Sequence, residues 1–493
     1  MSDIAYLDVL KALRPEAVLV LTALGVLLAD LRWGRDRSVS WRMRLTGLLT
    51  ALGCAFAAVA VIGWPPSANE RVPLLGISLQ IQHYKLALLV LTLAVVLLAA
   101  ETDFTPHAGE YFALLLFATL GFMLLVSANN LLLLFVALEL SSLSLYLLTA
   151  LDKRHPRSAE AGLKYFLYGS MAAACLLFGL SLLFGLSGEY YFQEIPGKIP
   201  RGPLPLDPIM ALAMALVLGG LAFKIAAVPF HLWAPDAYQG APAPSAALIA
   251  SGSKVASFLV LNAVVLSVFA GVSGNAHWGQ FAAGWKPLFA LLAALSMVLG
   301  NLAALVQRNV RRLLAYSAIA HSGYAVLAIL VQQETALAYY VITYGLAIVG
   351  AFGVIAAVER QTGGSDLNHF NGLARRSPLL AGALLIFLLS LAGIPPLAGF
   401  FGKFYVFLEV LRDDPGAGGR PVPGLLYLVI LAIGMSAVSL YYYLIVLKHA
   451  YRADPVESAA PLRAPLTHGV VAILGLAVLL LGCFPDWLLR WLR

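Results

Sequence analysis

Long apolar runs follow one another along almost the whole chain, and the short segments between them hold most of the charged residues. A transmembrane helix needs about 20 apolar residues to span a hydrocarbon core of about 30 Å. A window of that length finds fourteen such runs, at residues 15–31, 44–64, 84–101, 109–127, 130–151, 161–186, 208–232, 242–271, 284–306, 311–331, 334–358, 378–411, 423–448 and 467–488. Since lipid offers no hydrogen bonds to the backbone, this pattern predicts an all-α polytopic membrane protein with about fourteen transmembrane helices.

Two of the predicted helices contain proline inside the apolar run. The twelfth, at 378–411, is too long for one straight span and carries Pro395 and Pro396, and the seventh, at 208–232, is interrupted at Pro229. Proline removes a helical hydrogen bond and clashes with the preceding turn. We therefore expect helices 7 and 12 each to consist of two half-helices joined by unwound backbone.

The two broken helices lie five positions apart, which suggests an internal repeat. Helices four to eight and nine to thirteen form two five-helix units, each with a broken fourth member and a lysine nearby, Lys224 or Lys403. An odd number of helices makes the second unit enter the membrane from the opposite side, as in an inverted repeat. Proline is common in membrane helices generally, so the repeat depends on the paired lysines as well. The predicted division is three N-terminal helices at 1–105, a first repeat at 106–272, a second repeat at 273–450 and a C-terminal helix at 451–493.

The composition excludes a soluble globular protein. Hydrophobic residues make up 61% of the 493 residues and charged residues only 12%, whereas soluble domains have about half and about a quarter. The three cysteines, Cys54, Cys175 and Cys483, stand singly within apolar runs. Without a C-x-x-C pair or a ligand cluster, they predict neither an iron–sulfur cluster nor a metal site.

The basic residues predict the orientation of the chain. The formal net charge is +7, but the lysines and arginines fall in short loops, where they set topology and do not indicate a nucleic-acid partner. Alternate loops hold 17 and 10 of them. The richer side is cytoplasmic by the positive-inside rule, so both termini are predicted to lie outside.

Several ionisable residues lie inside the predicted helices, namely Glu139, Lys164, Lys224, Lys254 and Lys403. A charge in the bilayer interior costs about 3 kcal/mol on insertion scales, so each of these residues needs a function or a partner. We interpret them as sites of proton transfer.

Two histidines add to the candidate chemistry. His231 follows Pro229 in the broken seventh helix, and His321 lies in the tenth helix. Imidazole takes up and releases protons near neutral pH, so His231 is a candidate relay between neighbouring lysines. His321 is equally consistent with a hydrogen-bonded histidine of the bundle.

Three motifs carry a resemblance to a known family. FKIAAVPFHLWAPDAYQGAP occupies Phe223–Pro242, SAALIASGSKVASF occupies Ser245–Phe258, and LAGIPPLAGFFGKFYVF occupies Leu391–Phe407. Together they resemble the signature of the proton-conducting, antiporter-like subunits of NADH:quinone oxidoreductase, respiratory complex I. Within that family they are most similar to subunit N, since the sister subunit M has glutamate where this chain has Lys403.

The resemblance implies a role for each buried group. Glu139 and Lys224 match an ion pair at the centre of the first unit, and His231 matches a relay residue. Lys254 and Lys403 match the proton carriers that follow. A simpler alternative is that the ion pair only pins two helices together.

Two further residues match family positions with less certainty, Lys164 and Glu110. Lys164 lies three residues into its predicted helix and can extend to the headgroups instead. Glu110 begins the fourth helix, where a solvated carboxylate is favourable without any further role.

The resemblance implies a proton-translocating subunit that binds no cofactor itself. The complex would use NADH, FMN, iron–sulfur clusters and quinone, and the partners would be its other subunits, especially neighbouring antiporter-like ones, in the inner membrane of a bacterium. Two alternatives are a subunit of a multisubunit cation/proton antiporter and a scaffold without transport. The YQGAP and SGSKVA segments argue against the first, and the buried lysines argue against the second.

Overall fold

The computed structural model describes residues 6–63, 75–199, 206–413, 424–454 and 464–492. Long helices account for most of them: α1 Arg14–Trp33, α2 Val39–Gly63, α3 Leu79–Ala99, α4 Ala108–Val126, α5 Leu131–Thr149, α6 Pro156–Ser187, α7a Pro208–Lys224, α7b Trp233–Gly240, α8 Ala243–Ser267, α9 Trp285–Leu305, α10 Val310–Leu330, α11 Glu334–Thr362, α12a Pro378–Ala392, α12b Ala398–Arg412, α13 Leu426–Arg452 and α14 Pro465–Cys483. Shorter helical segments lie at Tyr6–Ala12, Ile195–Lys198, Ala270–Val272, Leu367–Phe370, Leu373–Arg376 and Pro485–Leu492. Within the described ranges, β-pairing is limited to isolated bridges.

The observed helices confirm the predicted all-α membrane fold. Each predicted apolar run overlaps a helix or a half-helix, but α7b, Trp233–Gly240, begins just after the predicted end of helix 7 at residue 232. Among the described residues, 11 helices are long and apolar enough to cross a membrane. The halves of the broken helices are too short for that set, and α1 carries charged residues near both ends.

Both predicted breaks are present. Helix α7a ends at Lys224 and α7b begins at Trp233, while α12a ends at Ala392 and α12b begins at Ala398. In the second break Gly393 has a φ of +89°, a left-handed conformation that favours glycine. The unwound backbone is partly satisfied by side chains, as when Ser390 Oγ accepts the Gly399 N–H at 3.1 Å.

Helix α8 departs from regular α-helix just before Lys254. Its residues Ile249–Ser253 form a π-helical segment, and the α-helix resumes at Lys254. A π segment widens the helix locally and is frequent at functional sites.

The core of the molecule surrounds α11. Every residue in the apolar window of this helix is buried, and α8 and α10 are almost completely buried as well. By contrast, α6 and α13 expose apolar side chains along much of their length, as expected for a surface in contact with lipid. The buried helices α8, α10 and α11 carry most of the candidate polar groups into the interior.

Corresponding pairs of helices pack against each other in the two proposed units. Within the first unit α4 packs on α5, α6 on α7a and α4 on α8. Within the second unit α9 packs on α10, α11 on α12a and α9 on α13, which are the corresponding positions. This correspondence supports the division at 106–272 and 273–450, and we propose that the two segments are an inverted repeat.

The C-terminal helix is attached to the loop between α3 and α4 through Glu101. Its carboxylate accepts hydrogen bonds from the backbone N–H groups of Leu466 and Thr467, each at 2.9 Å, at the start of α14. Burial alone would raise the pKa of Glu101, but the bonds from Thr467 and Leu466 and the nearby Arg360 guanidinium hold its pKa below the usual value. The ionised carboxylate therefore caps the positive end of α14.

Candidate functional site

Lys224 is the last residue of α7a and is buried at the first break. Its ammonium donates a hydrogen bond to Ser142 Oγ on α5, and Ser142 in turn donates to the Leu138 carbonyl. The Tyr146 ring, also on α5, has its centroid 5.5 Å from Lys224 Nζ. The charge at the helix end is thus held by a hydroxyl and an aromatic face.

Glu139 does not form the direct ion pair with Lys224 that the sequence led us to expect. No ion pair within 4.0 Å joins these two residues in the described part of the chain, and Glu139 Oε1 is buried without a hydrogen-bond partner there. Glu139 lies one helical turn before Ser142 on the same helix. The Lys224 ammonium thus donates to Ser142 and, among the described residues, not to the Glu139 carboxylate on the same helix.

Lys254 begins the α-helical part of α8 and is buried to 3% exposure. Its ammonium donates to the Ala318 carbonyl at 2.6 Å and to Ser322 Oγ at 2.8 Å, both on α10. Ser322 Oγ lies 2.5 Å from the carbonyl oxygen of Ile225, the residue that follows Lys224. A single serine therefore contacts both Lys254 and the break in α7.

His321 lies next to Ser322 and is also buried. Its Nδ1 is 2.7 Å from the hydroxyl of Tyr340 on α11, and its Nε2 is 3.4 Å from that of Tyr443 on α13. A cavity of about 10 Å³ is lined by His321, Lys254, Tyr340 and Tyr344. That volume is about enough for one water molecule.

Lys403 lies on α12b and is buried to 4% exposure. Its ammonium donates to the Ala392 carbonyl at 2.9 Å, at the end of α12a, and to Ser436 Oγ on α13 at 2.8 Å. Nζ also lies 4.9 Å from the centroid of the Tyr324 ring. The centroids of the Tyr324 and His321 rings are 5.8 Å apart, in an edge-on arrangement. Lys403 thus points into the bundle, beside unwound backbone.

These contacts define a row of polar groups, here called the lysine row, which are buried except for the partly buried Glu139. Its members are Glu139, Ser142, Lys224, Ser322, Lys254, His321, Tyr324 and Lys403. In the described part of the chain, none of its three lysines has a carboxylate within 4.0 Å. Each ammonium touches neutral oxygen atoms instead.

His231 occupies the unwound segment between α7a and α7b and is only partly buried. Its Nδ1 is buried without a hydrogen-bond partner among the described residues, and the flanking Phe230 and Leu232 are 41% and 61% exposed. The contact between Lys254 and the α7 break runs through Ser322 and not through His231. The structure therefore does not place His231 between the two lysines by any direct contact.

Lys164 and Glu110 lie outside the lysine row. The Lys164 side chain is 43% exposed and pairs with Glu160 at 2.6 Å and with Asp236 at 3.0 Å. The Glu110 side chain is 54% exposed, at the start of α4, 3.4 Å from His107. Glu110 thus occupies the position of a solvated helix-start carboxylate, and Lys164 belongs to an ionic cluster near the surface.

The structure also contains a buried ion pair that the sequence did not suggest. Lys85 of α3 lies 2.7 Å from Glu16 of α1, and both side chains are buried. No sequence signal linked Lys85 to Glu16, because the two residues are far apart in the chain.

A bundle of apolar helices with two broken members, each of which brings a buried lysine to its break, defines the class of antiporter-like membrane subunits. Residues 128–417 match the family model described as "NADH:quinone oxidoreductase/Mrp antiporter, TM". The chain is 47% identical to NADH-quinone oxidoreductase subunit N 2 from Acidobacterium capsulatum over 507 aligned residues, which cover 100% of both chains. The chain therefore belongs to the family of NADH-quinone oxidoreductase N subunits.

Solved structures agree with this assignment. A chain of respiratory complex I from Thermus thermophilus with bound aureothin has 35% identity and a TM-score of 0.78, with 97% of this chain and 98% of that chain covered. A chain of the Mrp complex from Dietzia sp. DQ12-45-1b has a TM-score of 0.78 at 21% identity, with 97% and 96% covered. The second likeness shows a shared fold only.

Proposed function

We propose that this chain is the proton-translocating membrane-arm subunit of an NADH:quinone oxidoreductase, and that the lysine row is its proton path. The observation that carries the proposal is the set of three buried lysines whose ammonium groups donate to neutral oxygens and, among the described residues, have no carboxylate within 4.0 Å. A charge in a poorly polarisable interior responds strongly to any charge that changes nearby. Each lysine is therefore sensitive to the protonation of its neighbours along the row.

Glu139 supplies the first control point. If the Lys224 ammonium leaves Ser142 and approaches the Glu139 carboxylate, the pair holds the proton, and when it returns to Ser142 the proton is released toward Lys254. The two alternatives differ by a small movement of one flexible side chain, because Glu139 and Ser142 are one turn apart on α5. This movement replaces the static ion pair expected from the sequence.

The middle of the row passes the proton between the two units. The Ser322 hydroxyl accepts from Lys254 and donates to the Ile225 carbonyl, so it fixes Lys254 beside the break that follows Lys224. A peptide carbonyl does not pass a proton on, so in this proposal water carries the proton between the two amines. On the other side, the one-water cavity separates Lys254 from His321, whose imidazole can exchange a proton through either nitrogen. The Tyr324 ring packs against both His321 and Lys403 and sets their spacing. Because a ring face carries no exchangeable proton, the last transfer to Lys403 passes through water in this proposal.

The energy for transport comes from partner subunits in this proposal. They oxidise NADH and reduce quinone with FMN and iron–sulfur clusters, and we expect neighbouring antiporter-like subunits to contact this chain along its lipid-facing helices. The charge bias of the loops supports the proposal that both termini lie on the outer side of a bacterial inner membrane. His231, Lys164 and Glu110 stay predicted participants, since none of them has a hydrogen bond or ion pair to the row among the described residues.

The test is a pair of substitutions at Lys254 in the assembled complex, reconstituted in proteoliposomes. Lys254→Arg keeps a positive charge that does not deprotonate, because guanidinium stays protonated. We therefore expect Lys254→Arg to lower NADH-driven proton pumping about tenfold, nearly as much as Lys254→Ala, since a proton carrier is removed in both.

The matched control is Lys286→Ala, at a partly exposed lysine near the start of α9, which should pump normally. Full pumping by Lys254→Arg would mean that the residue is a fixed charge and would remove the middle step of the path. Sodium-dependent ion exchange without quinone-linked turnover would instead favour a cation/proton antiporter subunit.

A further inference from the structure

Half-helix α7b is held by two consecutive arginines of α10 that lie outside the lysine row. Arg312 Nη1 is 2.5 Å from Asp236 Oδ1 and 3.2 Å from Gln239 Oε1, both on α7b. Arg311 donates to the carbonyl of Ala241, the residue that follows α7b. Helix α10 therefore contacts the side and the end of α7b through separate side chains.

Asp236 connects the two proposed units through one carboxylate. Its Oδ1 accepts from Arg312 of the second unit, and its Oδ2 accepts from Lys164 on α6 of the first unit at 3.0 Å. The Asp236 side chain is 28% exposed and that of Arg312 is 30% exposed. This contact lies toward the surface, where charged groups are tolerated without the cost of full burial.

The far end of α7b reaches the start of the lysine row. Trp233 begins this half-helix, one turn before Asp236. Its indole N–H donates to the carbonyl of Phe223 at 2.9 Å, and its ring stacks on Tyr165 at 4.2 Å. Because Phe223 directly precedes Lys224, a shift of α7b would also shift Trp233, which is bonded to the backbone beside Lys224.

We propose that Arg312 and Asp236 form an ionic latch that sets the position of α7b, and that Arg312 is thereby a positioning residue for Lys224. The inference rests on the proposed proton path for its functional consequence. The latch crosses between units, so it fixes the first-unit lysine relative to the second-unit helix α10. That helix carries Ser322 and His321, so the latch also sets the spacing within the row.

A double-mutant cycle tests the latch in the assembled complex. Arg312→Ala and Asp236→Ala should each lower proton pumping per complex about fivefold, and the double variant should be no worse than either, because both remove the same contact. The Michaelis constants for NADH and quinone should not change, since neither residue touches those substrates in the proposal. Arg312→Lys should restore at least half of the pumping, because it keeps the charge.

The matched control is Arg308→Ala, at an exposed arginine just before α10, which should pump normally. Assembly is checked on native gels, so that loss of folded complex is separated from loss of pumping. Normal pumping by assembled Arg312→Ala, or losses that multiply in the double variant, would overturn the latch.

Lys224→Ala in the same assay separates the two proposals. Impaired pumping in Lys224→Ala with normal pumping in Arg312→Ala would reject the latch alone. Normal pumping in Lys224→Ala would reject the proton path and the positioning role together.

Discussion

Ser322, in the second proposed unit, contacts two groups of the first unit. Its hydroxyl is within hydrogen-bond distance of the Lys254 ammonium and of the Ile225 carbonyl. A serine in a membrane helix commonly bonds to its own helix, as Ser322 also does to Ala318 O at 2.9 Å. The sequence could not distinguish this serine from the many others, because its importance comes from contacts across helices.

Ser322→Ala should lower NADH-driven pumping about fivefold, which corresponds to the loss of one hydrogen bond of about 1 kcal/mol. The control is Ser144→Ala on α5, where the hydroxyl donates to the Leu140 carbonyl of its own helix and has no other partner among the described residues. Pumping is measured in proteoliposomes and normalised to assembled complex. Equal activity of the two variants would contradict the role of Ser322 in the path.

The sequence predicted the identity of the buried lysines better than their partners. Lys224, Lys254 and Lys403 were recognisable because a charge in an apolar run has few explanations. Glu139 was expected to form an ion pair with Lys224, and in the structure the Lys224 ammonium donates to Ser142 instead. For Lys164 the sequence left two positions open, the membrane interior or the headgroups, and it lies in a partly exposed cluster with Asp236, since its position near a helix end lets the long side chain reach the surface.

At the scale of elements, the broken helices bring the lysines beside unwound backbone. Proline predicted both breaks, because its chemical effect on a helix is local. The π-helical segment of α8 was not predicted, since Ile249–Ser253 continues the apolar pattern of the surrounding helix without a break signal. Its consequence is that Lys254 lies at a change of helical geometry.

Gly393 gives a test of the second break. Any other residue at this position would have to keep a backbone φ of +89°, and its Cβ atom would lie 3.0 Å from Lys403 Cδ. Gly393→Ala should therefore destabilise the break by about 1–2 kcal/mol and displace Lys403. We expect reduced pumping in assembled complex.

The matched control is Gly382→Ala on the same half-helix α12a, where an added Cβ has nothing within 4 Å. Stability is followed by thermal unfolding of the purified complex, and pumping by the proteoliposome assay. A Gly393→Ala variant as stable and active as Gly382→Ala would show that neither the turn nor the position of Lys403 depends on this glycine.

At the scale of the whole molecule, each proposed unit completes the other. The backbone of the α7 break is satisfied by Ser296 and Ser322 of the second unit, which bond to Val228 N at 2.9 Å and to Ile225 O at 2.5 Å. Buried backbone groups need such partners in a membrane. The periodicity of the sequence predicted the helices, but this interlocking depends on contacts between distant segments and could not be derived from it.

The proposed proton path predicts that proton transfer and NADH oxidation fail together. If the proton does not pass from the first unit to the second, the row stays in one charge state, and a tightly coupled complex would stop turning over. The Glu139 and Lys224 side chains lie at the start of the proposed proton path. Their removal is therefore a test of the whole path and not of a single contact.

The most direct measurement is the rate of proton pumping together with the rate of NADH oxidation in assembled complexes that carry Glu139→Ala or Lys224→Ala. The proposed path predicts that both rates fall together in both variants, by about tenfold, because a proton-transfer group is removed. Wild-type pumping in both variants, with normal assembly, would contradict proton transfer through the lysine row.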